Sequence, residues 1–193
     1  MQFTRRHTLK FAGISCAATA LAGALRAEGG ASAAVDPTLP FALTTPMHIG
    51  KAALRVRELD PMIDYYRSVL GMNEVERTAR GVTLGVGTVP LLDLDHKPAA
   101  DFESPTSAGL FHVAYLMPSR KDLARWLVHA ALKQVPLTGF ADHNVSEAIY
   151  LNDPEGNGIE VYSDRPTDTW VWSGNVVKMG TEPLDVDDLV KLT

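Results

Sequence analysis

Cysteine is nearly absent from this chain of 193 residues, which contains only Cys16. This residue lies in the N-terminal segment that we interpret below as a signal peptide. It also lacks the leucine three positions earlier that is expected before a lipoprotein cysteine. Without that segment no thiol remains, so the sequence excludes a scaffold held together by disulfide bonds.

Long apolar runs and an excess of positive charge are also missing. The N-terminal apolar run, Phe11 to Leu25, is short and rich in Ala and Gly, which makes it too weak to span a bilayer comfortably. The formal net charge of the chain is −5, and removing residues 1–27 takes away four cations and no acid, which gives −9. Nucleic acid and anionic membranes are therefore poor partners.

The N-terminus has the pattern of a targeting sequence. Residues 4–10 contain Arg5 and Arg6 in a twin-arginine arrangement, and the small apolar run follows directly. We predict that residues 1–27 are a twin-arginine signal peptide and that residues 28–46 are a linker. The predicted location is the periplasm or the extracellular space, reached by a route that carries folded proteins, often with their cofactor.

The remaining 166 residues are enough for one domain with a proper core, and they contain one pattern twice. A strand that starts at Lys51 precedes an amphipathic helix near residues 61–70. A strand that starts at His112, 61 residues later, precedes a helix near residues 120–133. Helix starts are expected at Pro61 and Ser119. The strands predicted after the two helices lie at residues 74–78, 81–86 and 89–95, and at residues 135–138, 147–152 and 158–163.

Strand alternation divides the side chains of these strands between two faces. On the first strand, Leu54 and Val56 belong to the apolar set, so Lys51 and Arg55 take the other face. The same alternation places the polar residues of later strands on the face opposite their apolar neighbours. The predicted inward-facing set is Lys51, Arg55, Asp93, His112, Tyr150, Glu160 and Tyr162.

The segment after the second repeat, residues 165–193, has no counterpart in the first. We predict that Trp170, Val171 and Trp172 form an apolar patch that folds back over the domain. Residues 185–189 are predicted to form a short acidic helix.

The most specific motifs lie in the second repeat, where residues 110–115 read LFHVAY and residues 142–162 read DHNVSEAIYLNDPEGNGIEVY. They resemble the vicinal-oxygen-chelate superfamily, which includes glyoxalase I, bleomycin-resistance proteins and extradiol dioxygenases. Within it, residues 47–190 look most similar to small catechol 2,3-dioxygenase-like proteins. The resemblance implies an α+β fold, in which residues 47–164 form two βαβββ modules.

The implied modules span residues 47–96 and 110–164. They are expected to pair into an eight-stranded, half-open, barrel-like sheet with helices outside. The tail, residues 165–193, is expected to pack on this domain.

A metal site is also implied by the resemblance. In extradiol enzymes a His on the first strand of each module and a Glu on the last strand hold Fe(II) or Mn(II), and His112 and Glu160 match two of these positions. Lys51 occupies the third position, and it must lose a proton before it can ligate. Asp93 is an alternative third ligand. The other reading is that Lys51 forms a buried ion pair with Asp93 or Glu160 and that no metal binds.

Two further residues match the extradiol pattern. His143 corresponds to an acid/base histidine next to the metal site, with a role as a substitute ligand as the alternative, and Tyr150 corresponds to a tyrosine that contacts substrate. His48 is rejected as a ligand because it lies three residues before Lys51 on the same strand, which turns it to the opposite face.

These residues predict an exported, metal-dependent, extradiol dioxygenase-like enzyme for a small phenolic or other aromatic compound. One alternative is a metal-free binding protein of the bleomycin-resistance type, which the missing first-strand histidine favours. Another is a lyase or isomerase of the glyoxalase type. The expected partner is a small aromatic ligand. Neither nucleic acid nor, after signal cleavage, a membrane is expected as a partner, whereas a homo-oligomer is compatible with the sequence.

Overall fold

The first module follows the expected order of one strand, one helix and three strands. Its elements are β1 (Ala52–Val56), α1 (Leu59–Leu70), β2 (Asn73–Thr78), β3 (Gly81–Val86) and β4 (Val89–His96). They are seen in a computed structural model that describes residues 49–102, 104, 106 and 108–193. The strands form one sheet in the order β1-β4-β3-β2, in which β1 and β4 run parallel and the other neighbours run antiparallel.

The second module repeats this topology. Its elements are β5 (Val113–Leu116), α2 (Arg120–Leu132), β6 (Leu137–Asp142), β7 (Ser146–Asn152) and β8 (Gly158–Asp164), with the sheet order β5-β8-β7-β6. The prediction of an α+β fold with two βαβββ modules is confirmed. The eight strands are divided between two four-stranded sheets, and they close no barrel in the part of the chain that the structure describes. The predicted signal peptide and linker, with His48, lie outside the described residues.

Local sequence signals account for the ends of both helices. The Ser119 side chain accepts a hydrogen bond from the Asp122 backbone N–H and so caps the N-terminus of α2. Helix α1 starts at Leu59, which leaves Pro61 in the first turn, where proline costs no helical hydrogen bond. Gly71 ends α1 with a φ of 73°, a left-handed conformation that glycine adopts without steric penalty.

Both modules contribute to one apolar core. Alternation holds on β1, where Leu54 and Val56 are buried and Arg55 is exposed. The two helices meet at this core, and the indole Nε1 of Trp126 donates to the carbonyl of Val69 at 2.9 Å. The fully buried residues include Met62, Tyr66, Leu84, Leu92, Leu94, Leu123, Ile149, Leu151 and Ile159. None of the helices described by the structure is long and apolar enough to cross a membrane.

The turn between β7 and β8 fastens the second module to the first. One oxygen of Glu155 accepts hydrogen bonds from the backbone N–H groups of Arg57 and Glu58, both at 2.8 Å. Asp153 is buried and accepts a bond from the hydroxyl of Tyr66 at 3.0 Å. We call residues 153–158 the clasp turn, because its two carboxylates hold backbone and side-chain donors of the other module.

The C-terminal segment packs on the second module through aliphatic side chains. It contains a short 3-10 helix (Thr167–Thr169), a hairpin of β9 (Trp172–Ser173) and β10 (Val176–Val177), and α3 (Val186–Val190). Leu184 and Leu189 are buried in the common core. Of the predicted apolar patch, Trp170 is half-buried and its indole Nε1 donates to the carbonyl of Arg165 at 2.9 Å, whereas Val171 and Trp172 are 62% and 41% exposed. The leucines of this segment fill the core instead.

Candidate active site

His112 and Glu160 meet on the polar face of the second sheet. The distance between His112 Nε2 and Glu160 Oε2 is 2.7 Å, and Glu160 is buried. His112 directly precedes β5, which pairs in parallel with β8. The close approach depends on Gly158 at the start of β8, because a Cβ there would lie 2.2 Å from the carbonyl oxygen of Phe111.

Tyr150 connects this pair to a second histidine. It lies directly opposite Glu160 in the antiparallel pairing of β7 and β8, and its hydroxyl donates to Glu160 Oε1 at 3.1 Å. The same hydroxyl lies 2.8 Å from His143 Nε2. Burial, with the nearby charge of Glu160, raises the pKa of Tyr150 to about 12. The phenol is therefore neutral at physiological pH and keeps its proton for hydrogen bonding.

The loop that carries His143 is held by Arg165, which directly follows β8. Arg165 donates to both carboxylate oxygens of Asp142, at 2.8 and 2.6 Å, and to the carbonyl of Asn144 at 3.1 Å. These bonds from Arg165 hold the pKa of Asp142 below its ordinary value. A lowered carboxyl pKa stabilises the folded state at neutral pH, and this contribution is lost as the pH falls through the lowered pKa.

Together the four side chains form a continuous chain of polar contacts, His143–Tyr150–Glu160–His112. Such a chain of donors and acceptors can position a proton for transfer to or from a bound ligand. At its far end the buried Nδ1 of His112 has no hydrogen-bond partner in the described part of the molecule. The chain is the chemically most capable group of side chains on either sheet.

Lys51 and Asp93 form an ion pair on the polar face of the first sheet, with 2.6 Å between Nζ and Oδ2. Thr83 donates to the other oxygen of Asp93 at 2.7 Å. Burial raises the pKa of Asp93, but the hydrogen bonds from Lys51 and Thr83 outweigh it and hold that pKa below its ordinary value. The pair lines a cleft of about 460 Å³. Of the two partners predicted for Lys51, the structure thus shows Asp93 and not Glu160.

This ion pair is not buried, which corrects the sequence-based expectation. The two side chains are 46% and 30% exposed. An exposed ion pair contributes about 0 to 1 kcal/mol to stability, because water screens both charges. Breaking the Lys51–Asp93 contact should therefore cost far less than breaking a buried pair.

The other residues of the predicted inward set share these polar faces without joining the chain. Arg55 is exposed on β1, and Tyr162 is half-buried on β8, where burial and the charges of Asp164 and Glu160 raise its pKa. Beside them the second sheet exposes apolar surface, with Leu116 opposite Tyr162 in the β5–β8 pairing and the Phe111 ring 5.1 Å from that of His112.

Comparison with known protein families agrees with this fold. Residues 48–161 match the model of the Glyoxalase/Bleomycin resistance protein/Dioxygenase superfamily. The chain belongs to this superfamily. It is also 40% identical over 148 residues to a catechol-2,3-dioxygenase of Bacillus subtilis (strain 168), an alignment that covers 75% of this chain and 51% of the relative. The chain thus spans about half the length of this curated relative.

Solved structures of the superfamily share the fold at low identity. A glyoxalase/dioxygenase from Nostoc punctiforme aligns with a TM-score of 0.54 at 18% identity, over 68% of this chain and 99% of that chain. A lactoylglutathione lyase from Agrobacterium tumefaciens aligns with a TM-score of 0.50 at 23% identity, over 62% of this chain and 96% of that chain. At these identities the likeness shows the fold alone.

Metal ions are common in enzymes of this superfamily, and the donors present here fit such an ion only in part. His112 and Glu160 are suitable donors in contact with each other. Within the described residues, however, no group of three or more His, Cys, Asp or Glu side chains is placed to hold one ion. Asp93 is engaged by Lys51 and Thr83 and is not brought to the other two.

Sequence reasoning missed several residues that shape the site. Thr83 could have been found, because it lies directly opposite Asp93 in the antiparallel pairing of β3 and β4. Arg165 offered only its charge as a signal. The carbonyl of Gly180, which lies 2.8 Å from His143 Nδ1, could not have been found, because a backbone carbonyl has no side-chain signature.

Proposed function

We propose that this superfamily member is an extradiol dioxygenase-like enzyme that acts on a small phenolic compound. The observation that carries the proposal is the chain His143–Tyr150–Glu160–His112, which links an acid/base histidine through one tyrosine to the two candidate metal ligands. The 40% identity to a catechol-2,3-dioxygenase supports the same reaction class.

Each residue of the chain has a proposed task. His143 takes the proton of a phenolic hydroxyl at Nε2 and later returns it, because this is the ring nitrogen that faces Tyr150. Tyr150 stays neutral and orients both His143 and Glu160. His112 and Glu160 would hold a divalent metal such as Fe(II) or Mn(II). Such an ion, when bound, supplies the redox chemistry that joins a catechol to O2.

The surroundings of the chain suit an aromatic ring. Leu116 and Phe111 expose apolar surface next to His112, while Tyr162 adds a half-buried ring on the same face as Glu160. Burying one face of a phenolic ring against this surface would leave its hydroxyl groups directed at the polar chain. We therefore propose a small aromatic compound as the substrate class.

A metal-free binding protein is the second candidate, and the Lys51–Asp93 ion pair favours it. A cation stands where the superfamily's dioxygenases are expected to place a ligand, and its carboxylate partner is already engaged. A site of this kind could bind a phenol through Tyr150 and His143 and perform no redox reaction.

The deciding experiment measures metal content and oxygen uptake with catechol, using full-length protein purified without oxygen and then given Fe(II) or Mn(II). For the enzyme we expect metal-dependent oxygen uptake, with loss of both metal and activity in His112→Ala and in Glu160→Ala. Lys51→His should bind metal roughly 10- to 100-fold more tightly, because it restores a third imidazole donor. Lys51→Arg is the matched control, since it keeps the cation without adding a ligand.

The outcomes separate the two candidates. Wild-type protein that binds catechol but takes up neither metal nor oxygen would establish the binding protein. Metal content that survives both His112→Ala and Glu160→Ala would refute the proposed ligands.

We also propose that the protein is exported, on the strength of Arg5 and Arg6 in the twin-arginine pattern. Replacing both with lysine should retain the precursor in the cytoplasm, because the transport signal depends on the arginine pair. Cell fractionation of the wild-type and Lys-Lys proteins measures this. Equal periplasmic amounts of the two proteins would rule out the route.

A further inference from the structure

The C-terminal segment reaches the site through a backbone carbonyl. The Gly180 oxygen lies 2.8 Å from His143 Nδ1, and the backbone N–H of Gly180 lies 3.4 Å from the carbonyl of His143. Two residues further on, Glu182 and Asp142 exchange a pair of backbone hydrogen bonds, each at 2.9 Å. Residues 180–182 therefore run along the loop that carries His143, joined to it by one isolated β-bridge, and we call this segment the C-terminal strand.

This strand is anchored well beyond the site. Leu184 and Leu189 are buried in the core that both modules share, and Asp188 on α3 accepts a bond from Arg120 at 2.9 Å. Arg165 binds the same loop through Asp142 and the carbonyl of Asn144. Both Arg165 and the C-terminal strand thus hold the loop, and the contact with His143 Nδ1 comes from the C-terminal strand.

A carbonyl oxygen can accept a hydrogen bond but cannot donate one, so Nδ1 must carry the proton in this contact. In a neutral imidazole the hydrogen bond made by one ring nitrogen decides which nitrogen is protonated. With Nδ1 protonated, Nε2 of the neutral ring is an acceptor, so the single hydroxyl proton of Tyr150 can be donated either to Nε2, at 2.8 Å, or to Glu160, at 3.1 Å.

From this geometry we infer that the C-terminal strand is a positioning element of the active site, whose Gly180 carbonyl selects the His143 tautomer with a basic Nε2. The catalytic consequence rests on the proposed acid/base role of His143. The tautomer itself does not, because it follows from the contact alone. The strand would make the activity of the domain depend on a segment that lies outside both βαβββ modules.

The test detaches the strand without touching His143. Glu182→Pro removes the backbone N–H that bonds to the Asp142 carbonyl, and it restrains the preceding residue, so the Gly180 carbonyl should leave His143. Glu182→Ala is the matched control, because it shortens an exposed side chain and keeps both backbone bonds. Backbone amide exchange at Asp142 shows whether the strand has detached.

The primary readout is the histidine tautomer in ¹⁵N-histidine-labelled protein, recorded at a pH where His143 is neutral and assigned with His143→Gln. We expect Nδ1 to be protonated in wild-type protein and in Glu182→Ala, and Glu182→Pro to give a mixture that includes the Nε2–H form. With catechol as substrate, kcat of Glu182→Pro should fall roughly 10- to 100-fold with little change in KM.

Several results would overturn the inference. An unprotonated Nδ1 of His143 in wild-type protein would overturn it directly. This measurement needs no variant, so it remains decisive even if Glu182→Pro fails to fold. An unchanged tautomer in Glu182→Pro, with the Asp142 amide open to exchange, would also do so. If Glu182→Pro shifts the tautomer but no variant or wild-type protein turns over catechol, the positioning role holds and the proposed reaction fails.

Discussion

Replacing His143 with glutamine should lower kcat for catechol cleavage by about 100- to 10,000-fold, the usual contribution of a positioned general acid or base. Glutamine keeps a polar side chain in the loop but cannot take up a proton. His143 contacts Tyr150 and the Gly180 carbonyl but makes no bond to His112 or Glu160. The metal content of the variant should therefore stay close to that of wild-type protein.

Oxygen uptake and metal analysis on the same preparations measure the two quantities. His96→Gln is a suitable control, because His96 is exposed at the end of β4 in the first sheet. A His143→Gln protein that turns over catechol at the wild-type rate would remove the histidine from the mechanism. Parallel loss of metal and activity would instead show that His143 acts as a ligand.

The second large effect is expected at the clasp turn. Asp153 is 5% exposed, and its two oxygens accept bonds from four donors: the backbone N–H groups of Glu155 and Asn157, the Asn157 amide and the Tyr66 hydroxyl. Asp153→Ala leaves these donors unpaired, and each buried donor without a partner costs about 1 to 3 kcal/mol. Some donors will find water, so we expect a total loss near 3 kcal/mol.

Burial raises the pKa of Asp153, so burying its negative charge carries a cost of its own. The alanine variant no longer buries this charge, which partly offsets the loss of stability. The free-energy cost of four unpaired donors is larger, so the net effect is destabilising. In a domain of this size 3 kcal/mol lowers Tm by roughly 6 to 12 °C. Thermal unfolding at pH 7, followed by circular dichroism, measures the change.

Glu155→Gln is the control for this prediction, because the amide oxygen can still accept from Arg57 and Glu58. Its Tm should lie within about 2 °C of the wild-type value, a shift that corresponds to less than about 1 kcal/mol. An Asp153→Ala protein that melts as high as Glu155→Gln would show that the bonds accepted by Asp153 do not stabilise the domain.

Much of the fold could be predicted because the relevant signals are local. The strand predicted at residues 81–86 is β3 as observed, and Ser119 caps α2 as expected. These features depend on residues that are neighbours in the chain. The helix and strand order of the second module followed from its repeat of the first, and the offset of 61 residues appears again as matching sheet orders.

The candidate site could be predicted in its members but not in its contacts. Alternation assigned Tyr150 and Glu160 to one face, and the β7–β8 pairing brings them together. Alternation did not decide whether Lys51 would pair with Asp93 or with Glu160. It specifies the face on which a side chain lies, but not its distance from side chains of another sheet. The exposure of this pair could not be predicted either, since it depends on what covers the first sheet.

By itself, then, the sequence determined the repeat, the polar face of each strand and the residue types of the chain from His143 to His112. The polar faces follow from the period-two geometry of strands and from local turn chemistry, whereas His143 was identified by the resemblance to extradiol enzymes. The tertiary structure alone decided that the clasp turn bonds to α1 and the residues before it, that Lys51 pairs with Asp93, and that a backbone carbonyl at Gly180 reaches His143. The physical reason is that these contacts join residues 37 or more positions apart, and two of them use backbone groups that every residue shares.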